Sequence, residues 1–139
     1  MNATELKKWL SATELFQNIS KRSLNQLVKA GREIRHPDGH EVIIEGAGAV
    51  GFHLITSGTA RVTSGSAVRR TLSVGDSFGE ISVIDGRPRS ASVEALSNLV
   101  TFAIDSTMLN QLLADNPDFA HHMLVMLCTR LREAEKRAG

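Results

Sequence analysis

One short stretch of the chain combines a glycine, an acidic residue and an arginine at spacings that suit an anionic ligand. Within residues 75–95, Glu80 directly follows Gly79, and Arg89 comes shortly afterwards. Gly79 lacks a Cβ, so the backbone there can approach a ligand closely and adopt unusual dihedral angles. The planar guanidinium of Arg89 suits a phosphate group with two parallel hydrogen bonds. Glu80 can then accept a hydrogen bond from a sugar hydroxyl, as acidic residues do toward ribose in nucleotide sites.

The local sequence predicts how these side chains are positioned. Residues 80–84 favour a single helical turn, whose first N–H groups face any anion in front of it. The turn ends at residues 85–86, and Pro88 fixes the bend that follows. A returning strand over residues 90–93 then carries Arg89 toward the helical turn. The stretch therefore predicts an anion site and a ribose acceptor in one loop.

This stretch resembles the phosphate-binding cassette of the cyclic-nucleotide-binding domain family, which includes the catabolite activator protein and the regulatory subunits of cAMP-dependent protein kinase. The resemblance rests on the helical turn and on two runs at the family's spacing, Phe78-Gly79-Glu80-Ile81-Ser82 and Arg89-Ser90-Ala91. It implies that Glu80 binds the ribose 2′-hydroxyl and Arg89 the cyclic phosphate, with backbone amides around Ser82 and Ala91 completing the site. The alternative is an ion pair between Glu80 and Arg89 that only fixes the loop.

The resemblance also bears on the last helix and on the base. In the catabolite activator a basic residue at the position of Arg130 approaches the ribose-binding glutamate, which implies that Arg130 links Glu80 to this helix. That protein binds adenine through adjacent hydroxyl residues, but the matching positions here hold Ala134 and Glu135. Ser90 stands where family members carry Ala for cAMP or Thr for cGMP, and serine is compatible with both. We expect cAMP as the ligand, with cGMP left open.

Composition along the chain predicts one domain over residues 1–139, built from three segments. Residues 1–31 are predicted to be helical because their apolar residues recur at helical spacing. Residues 32–104 carry frequent glycines between short β-branched runs, which is typical of a closed or sandwiched β architecture. Residues 105–139 are again predicted to be helical.

The family resemblance implies a mainly β fold with flanking helices, in which the central segment is an antiparallel jelly-roll β-barrel. The predicted strands include residues 41–44, 52–56, 59–63 and 93–104, and the predicted helices are residues 4–10, 21–30, 108–114 and 118–137.

The last predicted helix has an apolar stripe at spacings of three and four, formed by Phe119, Met123, Met126, Leu127, Leu131 and Ala134. Such a stripe must be covered by the chain itself, by a partner helix or by a bound base. In the family this helix closes over the nucleotide and carries the signal onward, so the resemblance implies a C-terminal helical lid. The same stripe could also pair two copies in a homodimer.

Composition argues against several kinds of partner. The 16 basic and 15 acidic residues nearly cancel, so no overall field favours nucleic acid or an anionic membrane. One cysteine permits no internal disulfide, which favours a reducing cytoplasm. The sequence contains no apolar run of transmembrane length, and its N-terminus lacks a signal-peptide core. We therefore expect a cytoplasmic protein without nucleic acid or membrane as a partner.

Other patterns carry weaker signals. The G-x-G-x-x-G pattern over residues 46–51 precedes a β run instead of a helix, so we interpret it as a bend between strands and not as a dinucleotide site. The five histidines contain no H-x-H pair, which argues against a metal or other cofactor. No nucleophile has an ordered base and acid, so no catalytic residue and no enzyme activity are expected. Arg69 and Arg70 are predicted to lie on a solvated hairpin, and Cys128 to be buried in a helix.

Three hypotheses follow. The first is a regulatory domain that binds a cyclic nucleotide, most readily cAMP, and converts binding into movement of its last helix. Its signal would pass to a downstream protein partner or to a fused effector domain. The second is a degenerate barrel that serves as a protein-interaction or dimerisation module without nucleotide binding. The third is a metal-dependent jelly-roll enzyme.

Overall fold

The structure is a computed structural model that describes residues 1–43 and 51–138. The predicted end of a strand at Ile44 and the predicted bend over residues 46–50 lie outside this part of the chain. The described residues form α1 (Ala3–Ala12), α2 (Lys21–Ala30), β1 (Arg32–His36), β2 (Glu41–Ile43), β3 (Phe52–Ser57), β4 (Ala60–Ser64), β5 (Ala67–Leu72), β6 (Ser77–Phe78), α3 (Glu80–Asp85), β7 (Ser92–Ala95), β8 (Leu99–Ile104), α4 (Ser106–Asp115) and α5 (Pro117–Ala138).

The chain divides into two compact units. The helical unit contains Met1–Gln26 and Gln111–Gly139, and the β unit contains Leu27–Asn110. In the helical unit, Phe16 stacks on Phe119 with ring centroids 5.4 Å apart. A stacked aromatic pair of this kind adds about 0.5–1.5 kcal/mol to the burial of its apolar area.

A buried asparagine organises the polar contacts of the helical unit. The side-chain oxygen of Asn116 accepts a hydrogen bond from the backbone N–H of Ser20 at 3.0 Å. Its amide donates to the hydroxyl of Ser23 at 2.9 Å and to the carbonyl of Leu112 at 3.1 Å. Asn116 therefore joins the start of α2 to the junction of α4 and α5, where Pro117 begins a new helix as expected from its position.

The β unit consists of two four-stranded antiparallel sheets among the described residues. Their strand orders are β1-β8-β3-β6 and β2-β7-β4-β5. Apolar side chains from both sheets form one buried cluster, Ile43, Ile55, Ala60, Val62, Leu72, Phe78, Val93, Ala95 and Leu99. The mainly β fold with flanking helices predicted from the sequence is thereby confirmed.

Some local predictions were wrong. The single run predicted over residues 93–104 is two strands, because β7 and β8 belong to different sheets. The chain turns between them, where the backbone N–H of Leu96 donates to the carbonyl of Thr59 at 3.0 Å. The returning strand begins at Ser92, so Ser90 precedes it instead of starting it.

The apolar stripe of α5 is buried only near the start of the helix. Phe119 and Met123 are buried, but Leu131 is 59% exposed. Cys128 is exposed as well, so its predicted burial was wrong. None of the helices in the described residues is both long enough and apolar enough to cross a membrane.

Candidate functional site

The predicted cassette lies where β6 ends and α3 begins. Gly79, with φ of 94°, caps the N-terminus of α3, and Gly86, with φ of 71°, caps its C-terminus. Both angles lie in the left-handed region that residues with a side chain rarely adopt. The N–H of Gly86 donates to the carbonyl of Ser82 at 3.0 Å, which closes the helix. The two glycines confine α3 to six residues and make Glu80 its first residue.

Arg89 is held by two backbone carbonyls. Its Nη1 donates to the carbonyl of Gly79 at 2.9 Å, and its Nη2 donates to the carbonyl of Gly51 at 2.9 Å. The side chain is 5% exposed, and this burial lowers the pKa of the guanidinium, which still remains protonated near neutral pH. Both of these hydrogen bonds are to backbone carbonyls, so Arg89 links the chain at Gly51 to the chain at Gly79.

Glu80 and Arg89 line the same pocket. Glu80 is 1% exposed, so its carboxylate lies inside the protein. All eight predicted residues over 78–82 and 89–91 line this pocket, whose empty space of about 360 Å³ includes open solvent. The structure thus brings together every predicted binding residue of the β unit. Arg130 lies on α5 in the helical unit, and its link to Glu80 stays a prediction.

The floor of the pocket is a row of side chains across one sheet, which the sequence did not predict. Ile43 pairs with Val93, Val93 with Val62, and Val62 with Arg70, in the strand order β2-β7-β4-β5. All four residues line the pocket. The row consists of three apolar side chains and, at its end, one guanidinium. A flat aromatic ring could therefore lie on the apolar part of the row.

The prediction that Arg70 lies on a solvated face was therefore wrong. Arg70 is half-buried and lines the pocket, whereas its neighbour Arg69 is exposed. Alternate residues of a strand share a face, and Leu72, two positions further on, is buried in the core. That alternation was a usable signal for the inward orientation of Arg70.

A second group that the sequence missed lies behind Arg89. His36 Nε2 and His53 Nδ1 lie 2.9 Å and 3.0 Å from the hydroxyl of Thr101. His53 stacks on Phe78 with ring centroids 4.9 Å apart. Burial, followed by the charges of His36 and Arg89, lowers the pKa of His53 from 6.5 to about 4. The imidazole is therefore neutral at neutral pH.

Three histidines of the β unit lie close together. The rings of His36 and His40 lie 6.1 Å apart, and those of His36 and His53 lie 5.9 Å apart. Among residues 1–43 and 51–138, however, no three His, Cys, Asp or Glu side chains are arranged to hold a metal ion.

Comparison with known proteins identifies the family. A family model described as the cyclic nucleotide-binding domain matches residues 33–116, more than half of the chain. The chain belongs to the cyclic-nucleotide-binding domain family. The matched range contains the whole cassette and all eight strands of the described residues except the first residue of β1. The family resemblance predicted from the cassette motif is confirmed.

Two curated relatives of this family are regulators. The chain is 27% identical over 128 residues to the CRP-like cAMP-activated global transcriptional regulator of Mycobacterium tuberculosis, covering 88% of this chain and 57% of that protein. It is 30% identical over 112 residues to the cAMP-dependent protein kinase regulatory subunit of Debaryomyces hansenii, covering 79% of this chain and 25% of that protein. The chain therefore spans about half, or less, of the length of these relatives.

Two solved structures of family proteins show a similar fold. The catabolite activator protein of Thermus thermophilus matches with a TM-score of 0.77 and 25% identity, covering 89% of this chain and 61% of that one. The regulatory subunit of a cAMP-independent protein kinase A from Trypanosoma brucei also matches with a TM-score of 0.77, at 17% identity, covering 87% of this chain and 48% of that one. At 17% identity, the second match shows the fold alone.

Proposed function

We propose that this domain binds a cyclic nucleotide, with cAMP as its ligand, in the pocket between the cassette and the row of Ile43, Val93, Val62 and Arg70. The observation that carries the proposal is that buried Glu80 and buried Arg89 line one and the same pocket. The cyclic phosphate lies against the guanidinium of Arg89, and the ribose 2′-hydroxyl donates to the carboxylate of Glu80. The apolar floor receives one face of the base.

The chemistry of Arg89 supports the phosphate assignment. A guanidinium has five N–H groups, and carbonyls of the described residues accept from two of them. In the proposed complex, oxygens of the cyclic phosphate accept from other N–H groups of the same guanidinium. Charge-assisted hydrogen bonds to phosphate oxygens are about twice as strong as neutral ones. The buried cation thus gains a counter-ion when an anionic phosphodiester binds.

The relatives support cAMP as the ligand. The M. tuberculosis regulator is named as cAMP-activated, and the D. hansenii protein as the regulatory subunit of a cAMP-dependent kinase. The T. brucei regulatory subunit is named as cAMP-independent although its fold is similar. A similar fold therefore does not by itself determine the ligand. The proposal of a cyclic nucleotide depends on Glu80 and Arg89 together.

We further propose that the domain is a regulator without catalysis and acts in the cytoplasm. Binding shifts the population of positions taken by α4 and α5, with Arg130 linking α5 to Glu80. The size of such a shift is limited by the ligand's difference in affinity for the two states. The signal passes to a protein partner, to an effector domain on the same polypeptide, or to a second copy through α5.

A second candidate function is an interaction module that binds no nucleotide. It is favoured by the two hydrogen bonds from Arg89 to the carbonyls of Gly51 and Gly79, because these bonds alone give the buried arginine a structural role. In that case Arg89 ties two chain segments together and the pocket has no physiological ligand.

Calorimetric titration with cAMP, cGMP and 2′-deoxy-cAMP separates the two functions. The wild-type chain should bind cAMP and should bind 2′-deoxy-cAMP more weakly by about tenfold or more, since a hydrogen bond to a charged group contributes about 1.5–3 kcal/mol. Glu80→Ala should remove this difference, and Arg89→Ala should abolish binding of all three. The exposed residues Glu41 and Arg87 supply matched controls, Glu41→Ala and Arg87→Ala. A folded wild-type chain that binds none of these nucleotides at millimolar concentration would leave the interaction module as the better description.

A further inference from the structure

His53 occupies a fixed place in the β unit between two neighbours. It lies in β3 and is 9% exposed. Its ring is almost parallel to that of Phe78, at an interplanar angle of 5° and a centroid distance of 4.9 Å. Its Nδ1 lies 3.0 Å from the hydroxyl oxygen of fully buried Thr101. The stacking on Phe78 sets the plane of the ring, and the contact with Thr101 sets which edge of the ring faces β8.

The hydroxyl of Thr101 also makes the ring orientation specific. His36 Nε2 lies 2.9 Å from the same oxygen. A hydroxyl has one proton, so at most one of the two imidazoles can accept from Thr101, and at least one must donate to it. His53 is therefore held in a defined orientation by a chain of hydrogen bonds that crosses from β1 through β8 to β3.

The stacked pair lies next to both acceptors of Arg89, at the end of the β3–β6 ladder beyond which Gly51 and Gly79 lie. His53 and Phe78 are register partners in the pairing of β3 with β6. Gly51 lies two residues before His53, and Gly79 follows Phe78 directly. The carbonyls of these two glycines accept from Nη2 and Nη1 of Arg89, both at 2.9 Å. A guanidinium is a rigid fork, so it can span both carbonyls only while their separation is held constant.

We propose that His53 is a positioning residue of the anion site, whose stacking on Phe78 sets the separation of the Gly51 and Gly79 carbonyls and thereby the orientation of Arg89. The hydrogen bond to Thr101 orients the ring, and the ring contact with Phe78 fixes the two strands at this point. In its effect on ligand binding, this role rests on the function proposed above. The orientation of Arg89 itself can be measured without any ligand.

Two substitutions separate the ring from the hydrogen bond. His53→Phe keeps a flat ring against Phe78 and loses the contact with Thr101, whereas His53→Asn keeps a polar group near Thr101 and loses the ring. His53→Ala loses both. His121 is exposed on α5, so His121→Ala is the matched control. Unfolding of every variant is measured first, and binding is compared at a temperature where all are folded.

The ligand-free readout is the NMR spectrum of the guanidinium. When both NH₂ groups are hydrogen-bonded, rotation of each is slow and separate Nη–H signals are expected. Arg89→Lys assigns these signals by their disappearance. We expect them in wild type, His121→Ala and His53→Phe, and we expect them to merge in His53→Ala and His53→Asn. Separate Arg89 signals in His53→Ala would overturn the proposal.

Titration with cAMP gives the second readout. We expect His53→Ala and His53→Asn to bind about fivefold more weakly than wild type, the size of effect that an aromatic pair supports. His53→Phe should keep wild-type affinity, because it keeps a ring against Phe78. If only the hydrogen bond to Thr101 mattered, His53→Phe would bind as weakly as His53→Ala. Wild-type affinity in His53→Ala would overturn the proposal while leaving nucleotide binding intact. If the wild type bound no nucleotide, the proposed function would fail, and the guanidinium signals would still decide the role of His53.

Discussion

Arg89 donates a hydrogen bond to the one residue of the cassette that has no room for a side chain. Its Nη1 lies 2.9 Å from the carbonyl oxygen of Gly79. A Cβ on Gly79 would lie 2.9 Å from the same Nη1 and 2.6 Å from the carbonyl oxygen of Gly51. Gly79 is therefore needed for its left-handed backbone and also for the close approach of Arg89 to two carbonyls.

Gly79→Ala should destabilise the β unit and weaken cyclic-nucleotide binding together. The left-handed conformation costs a residue with a Cβ about 1 kcal/mol or more, and the collision with a backbone oxygen adds to it. Gly86→Ala is the matched control, since Gly86 has φ of 71° but a Cβ there meets no atom within 4 Å. Urea unfolding and calorimetric titration measure the two effects. Equal losses in the two variants would show that crowding at Gly79 is unimportant.

Arg89→Lys should lose most of the ligand affinity although it keeps the positive charge. An ammonium is a point charge and cannot reproduce the rigid fork that spans Gly51 and Gly79. Removing one partner of a buried, hydrogen-bonded charge pair costs about 2–5 kcal/mol, so the dissociation constant should rise by roughly thirtyfold or more. Titration of Arg89→Lys beside Arg87→Lys, at an exposed position of the same loop, measures this loss. Near-normal binding by Arg89→Lys would mean that only charge matters.

The stability of the β unit should fall in acid because of His53. Its pKa is lowered to about 4 when folded, against 6.5 ordinarily, so the folded state favours the neutral ring. This contribution is complete above pH 6.5, begins to be lost below it and is gone once the pH has fallen through about 4. Its total is roughly 3 kcal/mol, at about 1.4 kcal/mol for each unit of pKa. Urea unfolding from pH 7.5 to 4.5 should show a flatter profile for His53→Phe, and parallel profiles would contradict the assignment.

Arg70 should influence which purine binds. It is the charged end of the pocket floor, and an arginine can donate to both O6 and N7 of guanine, whereas adenine offers N7 beside a donor. Arg70→Gln should therefore weaken cGMP more than cAMP, changing the ratio of the two dissociation constants by about fivefold or more. Arg69→Gln, on the same strand but exposed, is the control. An equal loss for both nucleotides would place Arg70 near the phosphate instead of the base.

The cassette could be predicted because its chemistry is local. Gly79, Glu80 and Arg89 lie within one turn, a short helix and one loop, so residue types and spacing were sufficient. The end of α3 was equally predictable, since Gly86 supplies the left-handed cap that stops a helix.

The surroundings of the cassette could not be predicted in the same way. Gly51 binds Arg89 through its backbone carbonyl, a group that every residue has, so its residue type gives no signal. The two residues are also 38 positions apart in the sequence. The contact of His36 and His53 with Thr101 depends on the register of β8 with β1 and β3, which no short motif encodes. Register is specified by which face of each strand is buried, and the missed orientation of Arg70 has the same origin.

The exposure of Cys128 on α5 has a practical consequence for measuring motion. It is the one cysteine of the chain, so a thiol-reactive dye attaches at a single position of the last helix. Trp9, the one tryptophan, provides a separate fluorescent reporter on α1. Stopped-flow mixing with a nucleotide can thus time the response of α5 in the unmutated polypeptide.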